Sequence, residues 1–183
     1  RRVLFRSKID ISACQEYAFR GACRSGHLNV AQWLLSVKPE INISAWREYA
    51  FQEACGGGHL EIAKWLLSVK PEINISADGE CAFRGACRSG HLNVAQWLFS
   101  VKPEINISVW DEDAFRFTCA YGHLEIAKWL LSVKPEIDIS VYHEDAFRFA
   151  CAYGHLEVAQ WLLSMKPEIN ISADDEEIGR AHV

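Results

Sequence analysis

GHLNVAQWLLSVKPE, residues 26–40, returns slightly altered from Gly58, Gly90, Gly122 and Gly154, each time after a step of 32 residues. Self-similarity at such a period marks an array of small units that bury their apolar faces only against their neighbours. Asp10, Asn42, Asn74, Asn106 and Asp138 open five complete repeats, at 10–41, 42–73, 74–105, 106–137 and 138–169. Asn170 opens a partial sixth, 170–176.

The second repeat shows what each unit must be. Ala50, Phe51, Ala54 and Cys55 recur at the spacing of one helical stripe. Glu48 precedes them in the first turn, where a carboxylate suits the positive end of the helix dipole. Gly58 follows and supplies the left-handed residue that ends such a helix. Leu60, Ile62, Ala63, Leu66 and Leu67 form a second apolar face, which Lys70 and Pro71 stop. The run Ile73-Asn74-Ile75 reads as extended chain leading into a loop. Helices shorter than about 12–15 residues are marginal alone in water, so each must lean on its partner and on the next repeat. The expected fold class is all-α, an α-solenoid of stacked helix-turn-helix repeats with extended or hairpin-like connecting loops.

Composition narrows the function. Half of the 183 residues are apolar and 23% are charged, with a net charge of −5. The acidic excess is spread along the chain, whereas nucleic-acid binding wants a basic stripe. No stretch approaches the roughly 18 consecutive apolar residues of a membrane span, and no secretory apolar segment opens the chain. Cys23, Cys55, Cys87, Cys119 and Cys151 keep the 32-residue register and are one position repeated. Equivalent helices in such a stack lie about 8–10 Å apart, and a disulfide wants Cα atoms within about 7 Å. Small buried thiols in a reducing, intracellular and cytoplasmic setting are expected.

The two ends read differently from the array. RRVLFRS at 1–7 and EIGRAHV at 177–183 are encodable, after the first base of each is removed, by reverse-complementary strings that resemble a sequencing adapter. Residues 8–176 are therefore expected to be the genuine segment and one domain. Removing Arg1, Arg2, Arg6, Arg180 and Glu177 takes the charge from −5 to −8.

These residues resemble the ankyrin repeat. Gly58-His59-Leu60-Glu61-Ile62 matches the family's turn and second-helix start, and Leu66-Leu67 its leucine run. Ala54-Cys55 stands where the family has Ala-Ala, and Asn74 where it has the asparagine after its second helix. The likeness covers residues 10–169. There are departures: Tyr17-Ala18-Phe19-Arg20 or Asp113-Ala114-Phe115-Arg116 replaces the family's T-P-L-H helix start, and the Asp-Gly turn is not a repeated feature. The A-F-R and K-W-L-L-S-V-K-P wording is similar to ankyrin expansions of large DNA viruses of amoebae. The resemblance implies a protein–protein interaction scaffold, in the host cytoplasm if viral, whose loop tips and first helices line the concave face. It also implies that His27, His59, His91, His123 and His155 hydrogen-bond backbone across repeats.

Other chemistry has little support. Cys23 and His27 lie four apart, but Gly26 separates them, and one pair cannot complete four-coordinate zinc. Ser36, Ser68, Ser100, Ser132 and Ser164 recur without a distinct base and orienting acid, whereas catalysis needs one unlike constellation. No enzyme activity, cofactor, metal or small-molecule ligand is expected. Trp33, Trp65, Trp97, Trp129 and Trp161 never vary and are expected to pack as a ladder between successive second helices. Gly21 and Gly85, inside first helices, should soften the first and third repeats by about 0.5–1 kcal/mol each. The outer faces of the first and fifth repeats, which carry no polar capping repeat, should fray and associate.

Differences between repeats point to the partner's side. The loops vary as Cys14-Gln15, Trp46-Arg47, Asp78-Gly79, Trp110-Asp111 and Tyr142-His143. The first-helix ends vary as Arg24-Ser25, Gly56-Gly57, Arg88-Ser89, Ala120-Tyr121 and Ala152-Tyr153. Aromatics beside arginines have the composition of an interface hot spot. The candidate partner-binding residues are thus Trp46, Arg47, Asp78, Arg88, Trp110, Asp111, Tyr121, Tyr142, His143 and Tyr153. The alternatives are an architectural spacer with no specific ligand, or the recognition arm of a larger enzyme or adaptor.

Overall fold

The computed structural model describes residues 13–169. The expected terminal tails at 1–7 and 177–183 and the partial repeat at 170–176 lie outside the described residues. Ten helices and no strand are found among the described residues. They form five pairs: α1 Ala13–Arg24 with α2 Leu28–Val37, α3 Ala45–Gly56 with α4 Leu60–Val69, and α5 Ala77–Arg88 with α6 Leu92–Val101. The last two pairs are α7 Val109–Ala120 with α8 Leu124–Val133, and α9 Val141–Ala152 with α10 Leu156–Met165. The fold is an all-α solenoid of repeats. Two compact units divide it: the described residues up to Ala86 with Asn93–Ile105, and Cys87–Leu92 with the described residues from Asn106 on.

Within the first unit, Ala50, Phe51, Ala54 and Cys55 are fully buried, as the helical stripe requires, and Ile62, Ala63 and Leu66 face them from α4. The turn between the helices closes on Gly58 at φ +78°, with the His59 amide donating to the Ala54 carbonyl at 2.8 Å. That six-residue closure is the usual way a helix ends on a left-handed residue. The Lys70 amide still reaches Leu66, and there α4 stops before Pro71. The second unit repeats this with Ala114, Phe115 and Cys119 against Ile126, Ala127 and Leu130.

No strand occurs in the connecting segments among the described residues. The residue that opens each of the second to fifth repeats forms a side-chain turn: Asn42, Asn74, Asn106 and Asp138 accept the amides of Ser44, Ser76, Ser108 and Ser140 at 2.9–3.2 Å. Only an acceptor is needed, so aspartate serves as well as asparagine. Three left-handed residues follow, at 46–48, 78–80, 110–112 and 142–144, with φ between +52° and +67°. Glu48 thus lies in this turn, and regular helical geometry begins at Tyr49. A left-handed residue with a Cβ costs about 1–2 kcal/mol, and a clamp offsets part of that cost. The Ser44 hydroxyl donates to the Glu48 carboxylate at 2.6 Å, and Ser108 does the same to Glu112.

Three expectations change in detail. Three of the tryptophans, expected to pack between second helices, lie against the first-helix phenylalanine of the preceding repeat. Trp65 packs on Phe19, Trp97 on Phe51 and Trp161 on Phe115, with centroids 6.2–6.3 Å apart. Trp33 is 58% exposed. Four of the register cysteines are buried, and burial pushes the Cys23 thiol up to about 12 and those of Cys55, Cys87 and Cys119 higher still, but Cys151 is exposed. Finally, a side chain at Gly21 would meet open space, whereas one at Gly85 would come within 3.4 Å of the Gly56 Cα. A methyl at Gly85 would therefore touch α3 at ordinary contact distance, whereas one at Gly21 would touch nothing.

Candidate functional site

Nine of the ten candidate partner-binding residues are exposed, and Asp78 is half-buried. Seven of them, Trp46, Arg47, Asp78, Trp110, Asp111, Tyr142 and His143, are the first two residues of a left-handed triplet, whereas Arg88, Tyr121 and Tyr153 lie at first-helix ends.

In the first unit, the Arg20 guanidinium is buried over the Trp46 ring at 4.3 Å and the Tyr49 ring at 5.0 Å. Trp46 and Tyr49 meet edge to face at 6.1 Å. A cation over aromatic faces fixes the rings electrostatically, so Trp46 is held by its flank while its outer surface stays open. Beside it, Arg47 Nη1 pairs with Asp78 Oδ1 at 2.7 Å. That bond holds the Asp78 carboxyl below the usual carboxylate range. An exposed pair contributes little stability; its effect is to tie one loop tip to the next.

The second unit uses the same rung with other residues. The Tyr142 hydroxyl donates to Asp111 Oδ2 at 2.6 Å, which raises the tyrosine's pKa. Arg116 lies over the Tyr142 ring at 4.6 Å, donates to the Asp111 carbonyl at 2.9 Å and pairs with Asp145 at 3.2 Å. Trp110 and His143 stand exposed on the same turns. Along the first helices runs an aromatic row. Phe117 stacks on Tyr121 at 6.4 Å, Tyr121 meets Tyr153 at 6.4 Å, and Tyr153 stacks on Phe149 at 6.0 Å. Arg88 caps the row, 5.1 Å from the Phe117 and Tyr121 centroids, with Nη2 donating to the Tyr121 hydroxyl at 2.8 Å. Tyr121 remains 41% and Tyr153 60% exposed.

The sequence reading found Arg88, Tyr121 and Tyr153 but missed Phe117 and Phe149, and also Arg20, Tyr49 and Arg116, which hold the tips. A signal existed. The position that holds Phe117 and Phe149 runs Gly21, Glu53, Gly85, Phe117, Phe149, a change in size close to that of the helix-end position Ser25, Gly57, Ser89, Tyr121, Tyr153.

The histidines act as the resemblance implied at two places. His59 Nε2 lies 2.9 Å from the Arg24 carbonyl, and His123 Nε2 lies 3.1 Å from that of Arg88. Burial lowers the His123 pKa below its ordinary 6.5, the charge of His155 lowers it further, and the bond to Arg88 opposes both. The fold therefore prefers the neutral ring, and the unfolded chain binds the proton more readily. The stability this seat contributes is complete above 6.5 and is lost as pH falls through that value toward the folded one. Urea midpoints read from the second unit should drop between about pH 7.5 and about pH 5, and His123→Gln should lessen the drop. A variant with the parent's full pH dependence would assign the effect elsewhere.

No group of three or more potential metal ligands occurs among the described residues, and no helix there is long and apolar enough to cross a membrane.

Comparison with known proteins agrees with this architecture. A family description, ankyrin repeats in three copies, matches residues 19–111, and a second, ankyrin repeats in many copies, matches residues 117–163. A search of the curated proteins finds no match. Among solved structures the chain is similar to the human ASB11 ankyrin repeat domain, with a TM-score of 0.63 and 22% identity over 81% of this chain and 68% of that one. Period, helix pair, histidine seat and family match converge: this chain belongs to the ankyrin repeat family.

Proposed function

We propose that the chain captures a partner protein through its loop tips and the exposed flanks of its first helices. Repeats of this family generally mediate protein–protein interaction. The anchor is the aromatic row of Phe117, Tyr121, Tyr153 and Phe149 with Arg88 at its head. One observation carries this. Large aromatic surface is left open to water yet held in place by stacking and by an arginine, so docking on it would cost little side-chain entropy. Trp46, Arg47 and Asp78 on the first unit, and Trp110, Asp111, Tyr142 and His143 on the second, would set which partner fits.

The viral likeness of the A-F-R and K-W-L-L-S-V-K-P wording supports a host protein as the partner, met in the cytoplasm. The chain's role would then be that of a recognition arm without catalysis of its own. A spacer role has one observation in its favour: the tips satisfy one another through Arg47–Asp78 and Tyr142–Asp111.

Affinity enrichment from host lysate, followed by titration of the enriched protein, separates the two. Tyr121→Ala combined with Tyr153→Ala, and Trp110→Ala alone, should each weaken binding by about tenfold or more with the helical signal intact. Lys64→Ala, on the exposed second-helix side, should leave affinity unchanged. Equal binding by parent and aromatic variants, or no reproducible partner, would favour the spacer.

A further inference from the structure

The same arginine ends a first helix in each unit, in different company. In the first unit, Arg24 Nε pairs with Glu53 Oε2 at 3.1 Å. Arg88 and Phe117 stand at the positions of Arg24 and Glu53, two repeats further on. A ring has thus replaced the counter-charge. The Arg88 guanidinium lies 5.1 Å from the Phe117 and Tyr121 centroids. Of its N–H donors, the one in use is Nη2, which donates to the Tyr121 hydroxyl at 2.8 Å. No carboxylate among the described residues pairs with it. The acids of the second unit are engaged elsewhere: Asp111 accepts the Tyr142 hydroxyl, and Asp145 pairs with Arg116 and Arg148.

An arginine in open water needs no ion-pair partner. Arg88 differs because its neighbours are rings that a docked partner would seal from solvent. Once sealed, a guanidinium without an anion is costly. One that meets a carboxylate instead gains short, charge-assisted bonds in a water-poor setting.

We propose that this surface takes a peptide segment of the partner in which an aspartate or glutamate stands beside a large apolar side chain. The carboxylate meets Arg88 as Glu53 meets Arg24, and the apolar side chain covers Tyr121 and Tyr153. The assignment rests on the aromatic row being the binding surface, and it names what the row selects. A basic segment would bring its charge against Arg88. A single-stranded nucleic acid would stack its bases on the row, but the chain's net charge of −5 repels a polyanion far more than one carboxylate.

Random displayed peptides panned against the whole chain, with affinities then measured by fluorescence anisotropy, test this. Peptides that bind the parent but not a Tyr121→Ala, Tyr153→Ala double variant are those that use the row. They should share an acidic residue next to a large apolar one. Changing that acid to its amide should weaken binding to the parent about tenfold and should flatten its dependence on salt. Arg88→Gln keeps a donor for the Tyr121 hydroxyl but no charge, so acid and amide peptides should bind it alike. Arg88→Glu should enrich basic peptides instead. Arg88 is exposed at a helix end, so both variants should keep the helical signal. Row-dependent peptides without an acid, or an acid-to-amide loss equal in parent and Arg88→Gln, overturn the proposal and leave the row as the binding surface. A library that yields no row-dependent peptide overturns both. Oligouridine that binds the parent but not the double variant would assign the row to nucleic acid and overturn the carboxylate.

Discussion

A Gly26→Ala chain is expected to lose about 2–4 kcal/mol of stability, while Gly154→Ala loses only about 1–2 kcal/mol. Both glycines hold φ near +78°, so both substitutions carry the cost of a left-handed residue with a Cβ. Only at Gly26 does the new methyl also meet a ring, 2.6 Å from the His59 Cε1. To escape, the imidazole must leave the seat where its Nε2 meets the Arg24 carbonyl at 2.9 Å. The difference between the two variants therefore isolates the histidine seat from the backbone term. Urea titration followed by circular dichroism, with hydrogen exchange to locate the loss, measures it. Equal losses would mean that the seat contributes nothing.

Phe51→Ala should cost about 3–5 kcal/mol, the usual range for emptying a buried aromatic site. Its ring is fully buried and lies 6.3 Å from that of Trp97. Phe147→Ala, at the equivalent but half-buried position, should cost less than half as much in the same titration. Similar costs at the two positions would show that stability resides within each helix pair. That outcome would overturn the idea that repeats depend on their neighbours.

Much of this architecture is legible in the amino-acid order because the order states it five times. The 32-residue step fixes the helix pair, Gly58 marks the turn, and Lys70-Pro71 marks the stop, each where the structure has it. Only one of the four left-handed triplets, Asp78-Gly79-Glu80, announces itself with a glycine. Trp46-Arg47-Glu48 contains no glycine to announce positive φ, and the geometry comes from the Asn42 turn and the Ser44–Glu48 clamp. The tryptophan contacts are hidden for a related reason: periodicity says that a ring is fixed but not which neighbour fixes it. Cys151 shows a further limit. Its local sequence matches that of Cys119, yet one thiol is exposed and the other buried, because burial here depends on place in the array. At the candidate site, differences between repeats disclosed the tips and helix ends. Phe117 and Phe149 escaped because their position lies inside the helix, where variation is easily taken for packing.

The side-chain turn of Asn42, Asn74, Asn106 or Asp138 recurs at four loops, with a serine–glutamate clamp added at Ser44–Glu48 and Ser108–Glu112, and neither device uses the two residues at the crest. Trp46-Arg47, Asp78-Gly79, Trp110-Asp111 and Tyr142-His143 share nearly the same dihedral angles although their side chains range from none to indole and from acidic to basic. Form and vocabulary are therefore encoded by separate letters. Over evolutionary time, or in a combinatorial library, ligand preference can be rewritten at two sites per loop while the supporting framework keeps its spelling.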